Sequence, residues 1–360
     1  MRRSRVFLAW SLAAGILLVT AMACNIPQVI VPSSPGPAPL STLAPATGST
    51  ATALPEAASE TPTAIVHTTH PADPPASFLS QIQDINSSAF ASQHRAPGGE
   101  NFNLGLFERP FDQSMNTYYP DLDIKAARFS RDATWSYVTI DLVGQDPTKG
   151  GMPEVYAIEI DVNRDGRGYF LISVRAPGVG WSTDGVQVWQ DTDRDVGGLH
   201  PIESDPPPQT GNGYETLLFD QGKGTDPDLA WGRISQLSSN SVQIAFKRTL
   251  FNDANPFLWG AWSFDPSMFH PDWFDYNDHF TQAQAGSPLV EQTQYYPLKA
   301  LYEVDNTCRW AVGFIPTGNE PGICPIPATP TPIPSPTRTP TRTPTPTRTW
   351  TPTETQVIIK

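Results

Sequence analysis

Between residues 154 and 198 the chain reads EVYAIEID-VNRDGRG-YFLISVR and then GVQVWQ-DTDRD-VGG, and this stretch limits the possible folds more than any other. Tyr156, Ile158 and Ile160 share one face of an extended segment. Phe170, Ile172 and Val174 do the same beyond a short polar break. Alternation at period two marks a strand with two distinct faces, and a glycine-containing break between two such runs marks a hairpin. A third run at 185–190 leads into a second acidic loop. If 154–161 runs up, 168–175 runs down, and 185–190 runs up again after a turn through 176–184. Both acidic loops then lie at one end of a simple meander.

The loops themselves carry chemistry. Asp161, Asn163 and Asp165 alternate, with Gly166 next; Asp191, Asp193 and Asp195 alternate, with Gly197 and Gly198 close behind. Oxygen donors at every second position, followed by a glycine that lets the chain turn sharply, suit a hard cation such as calcium. The first loop resembles the opening of an EF-hand, D-x-N-x-D-G. It departs at position 12, where the bidentate Glu is replaced by Ile172 inside an apolar strand. The expected site is therefore a calcium loop on a β-hairpin, with missing ligands supplied by its neighbour. The expected ligand set is Asp161, Asn163, Asp165 and Arg167 with Asp191, Asp193 and Asp195. The alternative is two solvated acidic turns, since Asp, Asn and Gly are ordinary turn residues.

Further strands are expected at DLDIKAARFSRDATWSYVTIDLVG, with a turn at 131–134, and at YETLLFD, SVQIAFKRTL and YYPLKALYEVDNTC. Val138, Ile140 and Leu142 face one way and Tyr137, Thr139 and Asp141 the other, as in an antiparallel sheet with one dry and one wet face. SFLSQIQDINSSAF, with Phe78, Ile82, Ile85 and Phe90, predicts a short amphipathic helix. QGKGTDPDLAWGRIS reads as loop with a short helix, which Asp226 or Asp228 would cap if neither binds a cation. The fold class predicted is all-β: an antiparallel β-sandwich, jelly-roll or DOMON-like, with one or two short helices.

The Asp123-Ile124 start, the turn at 129–132, the run 137–142 and the IAFK strand at 244–247 resemble the DOMON and family-9 carbohydrate-binding-module type of sandwich. That resemblance implies ligand binding at an end or face of the sandwich, with calcium in a structural role. It transfers no ligand residue, and the Met/His pair that ligates haem in some DOMON domains is not identified.

Both ends are of different composition. Arg2, Arg3 and Arg5 precede the apolar run VFLAWSLAAGILLVT, so 1–23 reads as an export signal. Ala21-Met22-Ala23-Cys24 resembles a bacterial lipobox, which implies lipidation of Cys24 and a membrane anchor. An uncleaved signal anchor is the alternative, because about 18 apolar residues can just span a bilayer. Residues 24–76 are rich in Pro, Ala, Ser and Thr and read as a disordered tether, on which His67 and His70 have no metal role. Residues 326–360 are a Thr-Pro tail carrying Arg338, Arg342 and Arg348, also read as disordered. The foldable part, 77–325, holds 32 acidic and 16 basic side chains, a net −16. That balance disfavours nucleic acid as a partner and suits cation binding. Within it, Cys308 and Cys324 are expected to form a disulfide in an exported protein.

FLWGAWSFDPSMFHPDWFDYNDHF concentrates aromatics beside carboxylates. Trp259, Trp262 and Trp273 are candidate sugar-stacking platforms. The competing reading, which packing favours, is a core strand followed by a lid pinned by its own rings. His270, Asp272, Asp275, Asp278 and His279 match no transition-metal spacing. No nucleophile elbow, zincin helix, P-loop or dinucleotide fingerprint occurs, although a glycosidase carboxylate pair need not be close in sequence. The expected function is a calcium-stabilised binding module on a lipid anchor, for a glycan, an envelope polymer or a surface protein. The alternatives are a surface hydrolase using a carboxylate pair and a structural surface-layer protein.

Overall fold

The computed structural model describes residues 65–166, 168–194, 196, 212–274, 280–289, 300–326, 347 and 349. The export signal, Cys24, the tether up to 64, Arg167, Asp195, Asp275, Asp278, His279 and nearly all of the tail lie outside the described residues.

The architecture is the expected antiparallel β-sandwich. A five-stranded sheet is ordered β1 (Ser80–Gln83), β3 (Ile124–Arg131), β4 (Trp135–Leu142), β11 (Ser241–Lys247), β10 (Ala230–Ile234). The larger sheet runs β2 (Glu108–Arg109), β13 (Val304–Asn306), β12 (Phe257–Phe264), β5 (Val155–Asp161), β6 (Phe170–Arg175), β7 (Val186–Gln190), β8 (Thr216–Asp220), β9 (Lys223–Gly224). A short strand, β14 (Trp310–Val312), pairs with the start of β12. The period-two pattern places its apolar set between the sheets: Phe129, Val138, Ile140, Val242, Ile244 and Phe246 from one, Tyr156, Ile158, Ile160, Ile172, Val174 and Trp259 from the other. Each fully buried side chain of this size contributes about 1.5–3 kcal/mol relative to leaving it exposed. Where β10 crosses β6, Gly232 lets the sheets approach, since a Cβ there would stand 2.4 Å from Val174 Cγ2.

Four expectations change. The amphipathic helix at 77–90 is instead β1, in register with β3 through Ser80↔Phe129, followed by a 3-10 turn at Ser87–Gln93. Sheet pairing overrides the local periodicity: Ile82 is buried in the core, while Phe78 and Ile85 are exposed. The short helix expected near 226–235 is β10, which completes the smaller sheet.

The wet face expected at 137–142 is partly covered, with Tyr137 buried and Thr139 and Asp141 half-buried, and the larger sheet is covered further. β5 and β12 are buried along their whole length because Phe107, Tyr214, Met268, Phe274 and Leu301 roof the outer side of the larger sheet.

The tether boundary at 76 also shifts. Residues 65–75 lie as a strap across the outer face of the smaller sheet. His67 and His70 each set a ring 4.8 Å from Trp231, and Asp73 pairs with Arg233 at 2.6 Å. Asp228 is the anchor of this strap. Its carboxylate accepts from His67 Nδ1 at 2.8 Å, from the amides of Thr68 and Thr69, and from the Thr68 hydroxyl. Those bonds outweigh burial and pull its pKa down to about 2. Asp226 is held by Lys247, so neither aspartate is a cation ligand or a helix cap.

Cys308 and Cys324 form the expected disulfide, with Cα atoms 5.0 Å apart. A loop of this size contributes about 3 kcal/mol on the chain-entropy account.

Candidate ligand cleft and acidic rim

The β5–β6–β7 meander runs as expected, with Ile160 opposite Phe170 and Phe170 opposite Gln190. The two acidic loops therefore share one end of the larger sheet, separated by the width of β6. They also share one conformation. Asp161 ends β5 and accepts from the amides of Arg164 at 2.6 Å and Gly166 at 2.9 Å. Asp191 follows β7 and accepts from the amides of Arg194 at 2.6 Å and Val196 at 3.2 Å. Arg164 and Arg194 take left-handed backbone, with φ of 64° and 68°. In both, the leading aspartate closes its own turn by binding amides three and five residues on. The D-x-[ND]-R-D sequence common to the two loops encodes that turn.

Among the described residues, no carboxylate of the first loop joins the group formed at the second. Asn163 Nδ2 donates to Asp165 Oδ2 at 2.8 Å on the exposed side of the first loop. Arg309 stands beside that loop, donating to the Gly166 carbonyl and to Glu159 Oε1, each at 2.6 Å. Burial raises the Asp161 pKa, opposed by Arg309 and the loop amides. In the second loop Asp191 and Asp193 bring oxygens within 4.8 Å of each other and of Glu215. Glu215 Oε1 accepts from the Thr192 amide at 2.9 Å and from the Thr192 hydroxyl, and Oε2 is buried with no hydrogen-bond partner. Glu215 sits just before β8, and no spacing in the sequence connects it to Asp191.

Trp259 and Trp262 are not ligand platforms. Both are core residues, 0% and 4% exposed, whose indole NH groups donate to Ser80 Oγ at 2.9 Å and Glu159 Oε2 at 3.1 Å. They alternate along a central strand covered on both faces, so each faces a different core. Trp273 lies in the 3-10 turn Pro271–Trp273, half-buried, and stacks on His270 at 4.2 Å. The density of rings in this stretch serves packing, as the core reading holds.

One concave site lies elsewhere, at the end of the sandwich that bears the acidic loops. A cleft of about 470 Å³ opens between β5–β8 and the connection from β11 to β12. Tyr169, Phe170 and Phe251 supply its rings, with Phe170 and Phe251 stacked at 5.8 Å and 21°. Gln190, Asn252 and Asn255 supply amides, and among the described residues no lining residue is charged. The sequence offered little signal for it, because its rings come from three separate segments and Phe170 and Phe257 double as core. No family model, curated protein or solved structure shows a significant match to this chain.

Proposed function

We propose that the chain is an exported binding module, displayed from a membrane through lipid on Cys24, whose sandwich-end cleft takes a segment of a neutral glycan. The observation that carries this reading is the cleft itself. Tyr169 and Phe251, both half-buried, offer apolar ring surface to a pyranose, and three carboxamides offer paired donors and acceptors to its hydroxyls. The uncharged lining, next to an acidic rim, selects against anionic polymers. The DOMON-type resemblance is compatible with it, since it implies a ligand at an end or a face of the sandwich.

Calcium on the rim belongs to the same reading. Asp191, Asp193 and Glu215 form an oxygen set of the right kind, and the first loop offers Asp161, Asn163 and Asp165. An ion on Asp191, Asp193 and Glu215 would tie the residues that follow β7 to the residue that precedes β8, next to the cleft residue Gln190. The test is a glycan array followed by titration calorimetry with the best neutral oligosaccharide. Phe251→Ala and Asn255→Ala are expected to weaken binding at least tenfold, and Trp273→Ala to leave it unchanged. Equal affinity in the cleft variants, or binding restricted to anionic polymers, would overturn the reading. Replacing Cys24 with Ser is expected to move the protein from the membrane to the soluble fraction.

A further inference from the structure

Four carboxylates from distant parts of the chain meet where the two sheets adjoin, away from the rim. Asp84 follows β1 and Asp123 precedes β3 in the smaller sheet. Glu108 lies in β2 and Asp305 in β13 of the larger one, opposite each other in register. Oxygens of Asp84, Glu108 and Asp305 lie within 4.8 Å of one another. Asp123 and Asp305 are fully buried and Glu108 is 1% exposed.

One oxygen of three of these groups is fixed from outside the cluster. Asp305 Oδ2 accepts from the Ile124 amide at 2.7 Å, a bond that itself joins the sheets. Asp123 Oδ2 accepts from the Ser87 amide at 2.9 Å and the Tyr118 hydroxyl at 2.6 Å. Glu108 Oε1 accepts from the Ser87 hydroxyl at 2.6 Å. Left over are Asp84 Oδ2, Asp123 Oδ1 and Asp305 Oδ1, all buried and without a hydrogen-bond partner. A buried acceptor left unpaired costs about 1–3 kcal/mol, and more when charged. Two of these residues, Asp84 and Asp305, belong to the 4.8 Å group with Glu108, and Asp123 adjoins it through Ser87, which donates to both Asp123 and Glu108.

The adjacent arginine does not relieve them. Arg109 pairs with Glu100 and donates to the carbonyls of Ala285, Gly286 and Leu301. The comparable buried acid Glu154 has Lys149 as its partner. After burial, the largest influence on Asp305 is repulsion from Glu108, Asp84 and Asp123. Burial first, then mutual repulsion, pushes Glu108 up to about 10, and burial pushes Asp84 up to about 8.

We propose that Asp84, Glu108, Asp123 and Asp305 bind one calcium-class divalent cation that fastens the two sheets together. The donor set is all oxygen, with neither His nor Cys, which suits a hard cation and not zinc. The amides and hydroxyls of Ser87, Tyr118 and Ile124 orient the carboxylates from behind, as outer partners of metal ligands do. The cation supplies the unpartnered oxygens with a common neighbour and cancels their repulsion. This site is independent of the glycan reading and of the rim.

The experiment uses the full chain stripped with chelator and titrated with calcium alone, followed by equilibrium dialysis and calorimetric melting. Wild type is expected to take up a tight equivalent with a melting rise of several degrees. Asp305→Asn keeps an acceptor for Ile124 and is expected to weaken that equivalent at least tenfold. The rim variant Asp161→Asn/Asp191→Asn/Asp193→Asn is expected to retain it. Loss of the tight equivalent in the rim variant, or equal uptake in Asp305→Asn, overturns the proposal. If Asp305→Asn does not fold, the rim variant decides alone: one tight equivalent with a melting rise supports the site, and none overturns it.

Discussion

The rim at Asp161 and Asp191 and the seam at Asp84, Glu108, Asp123 and Asp305 are both acidic, yet they satisfy their oxygens in opposite ways. On the rim each leading aspartate turns back on its own loop and takes two backbone amides. Such a turn is closed whether or not an ion is present. At the seam the carboxylates come from four segments, and three oxygens end without partners. The rim is thus a turn that an ion can decorate, and the seam is a junction that an ion completes. The rim displays the motif and leaves one buried oxygen unmet, Glu215 Oε2, whereas the seam leaves three.

The largest effect that sharpens this contrast is expected at Arg309, which neutralises Glu159 and pins the first loop. Arg309→Met leaves Glu159 buried beside Trp262 without its cation, and a loss of about 3–5 kcal/mol in denaturant unfolding is expected. A near-neutral result would mean that the first loop does not depend on that support. Next comes chelation. If calcium exceeds the dissociation constant of the seam by a hundredfold to a thousandfold, its removal is expected to cost about 2.7–4.1 kcal/mol. Asp305→Asn is expected to abolish most of this difference and the rim variant to keep it. The reverse pattern would exchange the roles of the two regions.

A smaller effect separates both from Glu154, the buried acid with its own lysine. Burial raises its pKa to about 7, against the opposing pull of Lys149. The folded state then holds a proton that the unfolded chain releases above about 4.5. Its contribution is fully present below about pH 4.5 and is lost as pH rises through about 7. Melting measured over this range at saturating calcium is expected to slope downward with pH, and Glu154→Gln to flatten the slope. An unchanged slope would assign the titration elsewhere. The smallest effect is expected at Asn163 on the exposed side of the first loop, where Asn163→Ala should shift stability by less than about 0.5 kcal/mol.

What could be read from the sequence follows the same division. Strand periodicity at 137–142, 154–161, 168–175 and 241–247 is local, and it identified the sandwich, the meander and the shared end of the acidic loops. The disulfide was legible because Cys308 and Cys324 share the foldable region, where an export reading of 1–23 leads one to expect that they pair. The segment 77–90 misled because strand pairing with β3, not its own periodicity, decides its conformation. The strap at 65–75 was hidden by Pro-rich composition, since its order comes from Asp228, Trp231 and Arg233 more than 150 residues away. For Trp259 and Trp262 the sequence left platform and core both open, with packing favouring core, and a strand covered on both faces buries both sides of its alternation. The seam was invisible for a plain reason: Asp84, Glu108, Asp123 and Asp305 form no motif, and only sheet pairing brings them together.

The most direct test is a crystal structure of the full chain grown with calcium, with terbium substituted for anomalous diffraction. The account expects an ion peak about 2.3–2.6 Å from oxygens of Asp84, Glu108, Asp123 and Asp305, at higher occupancy than any peak on the rim. Anomalous density on the rim alone, or none at the seam, would contradict it.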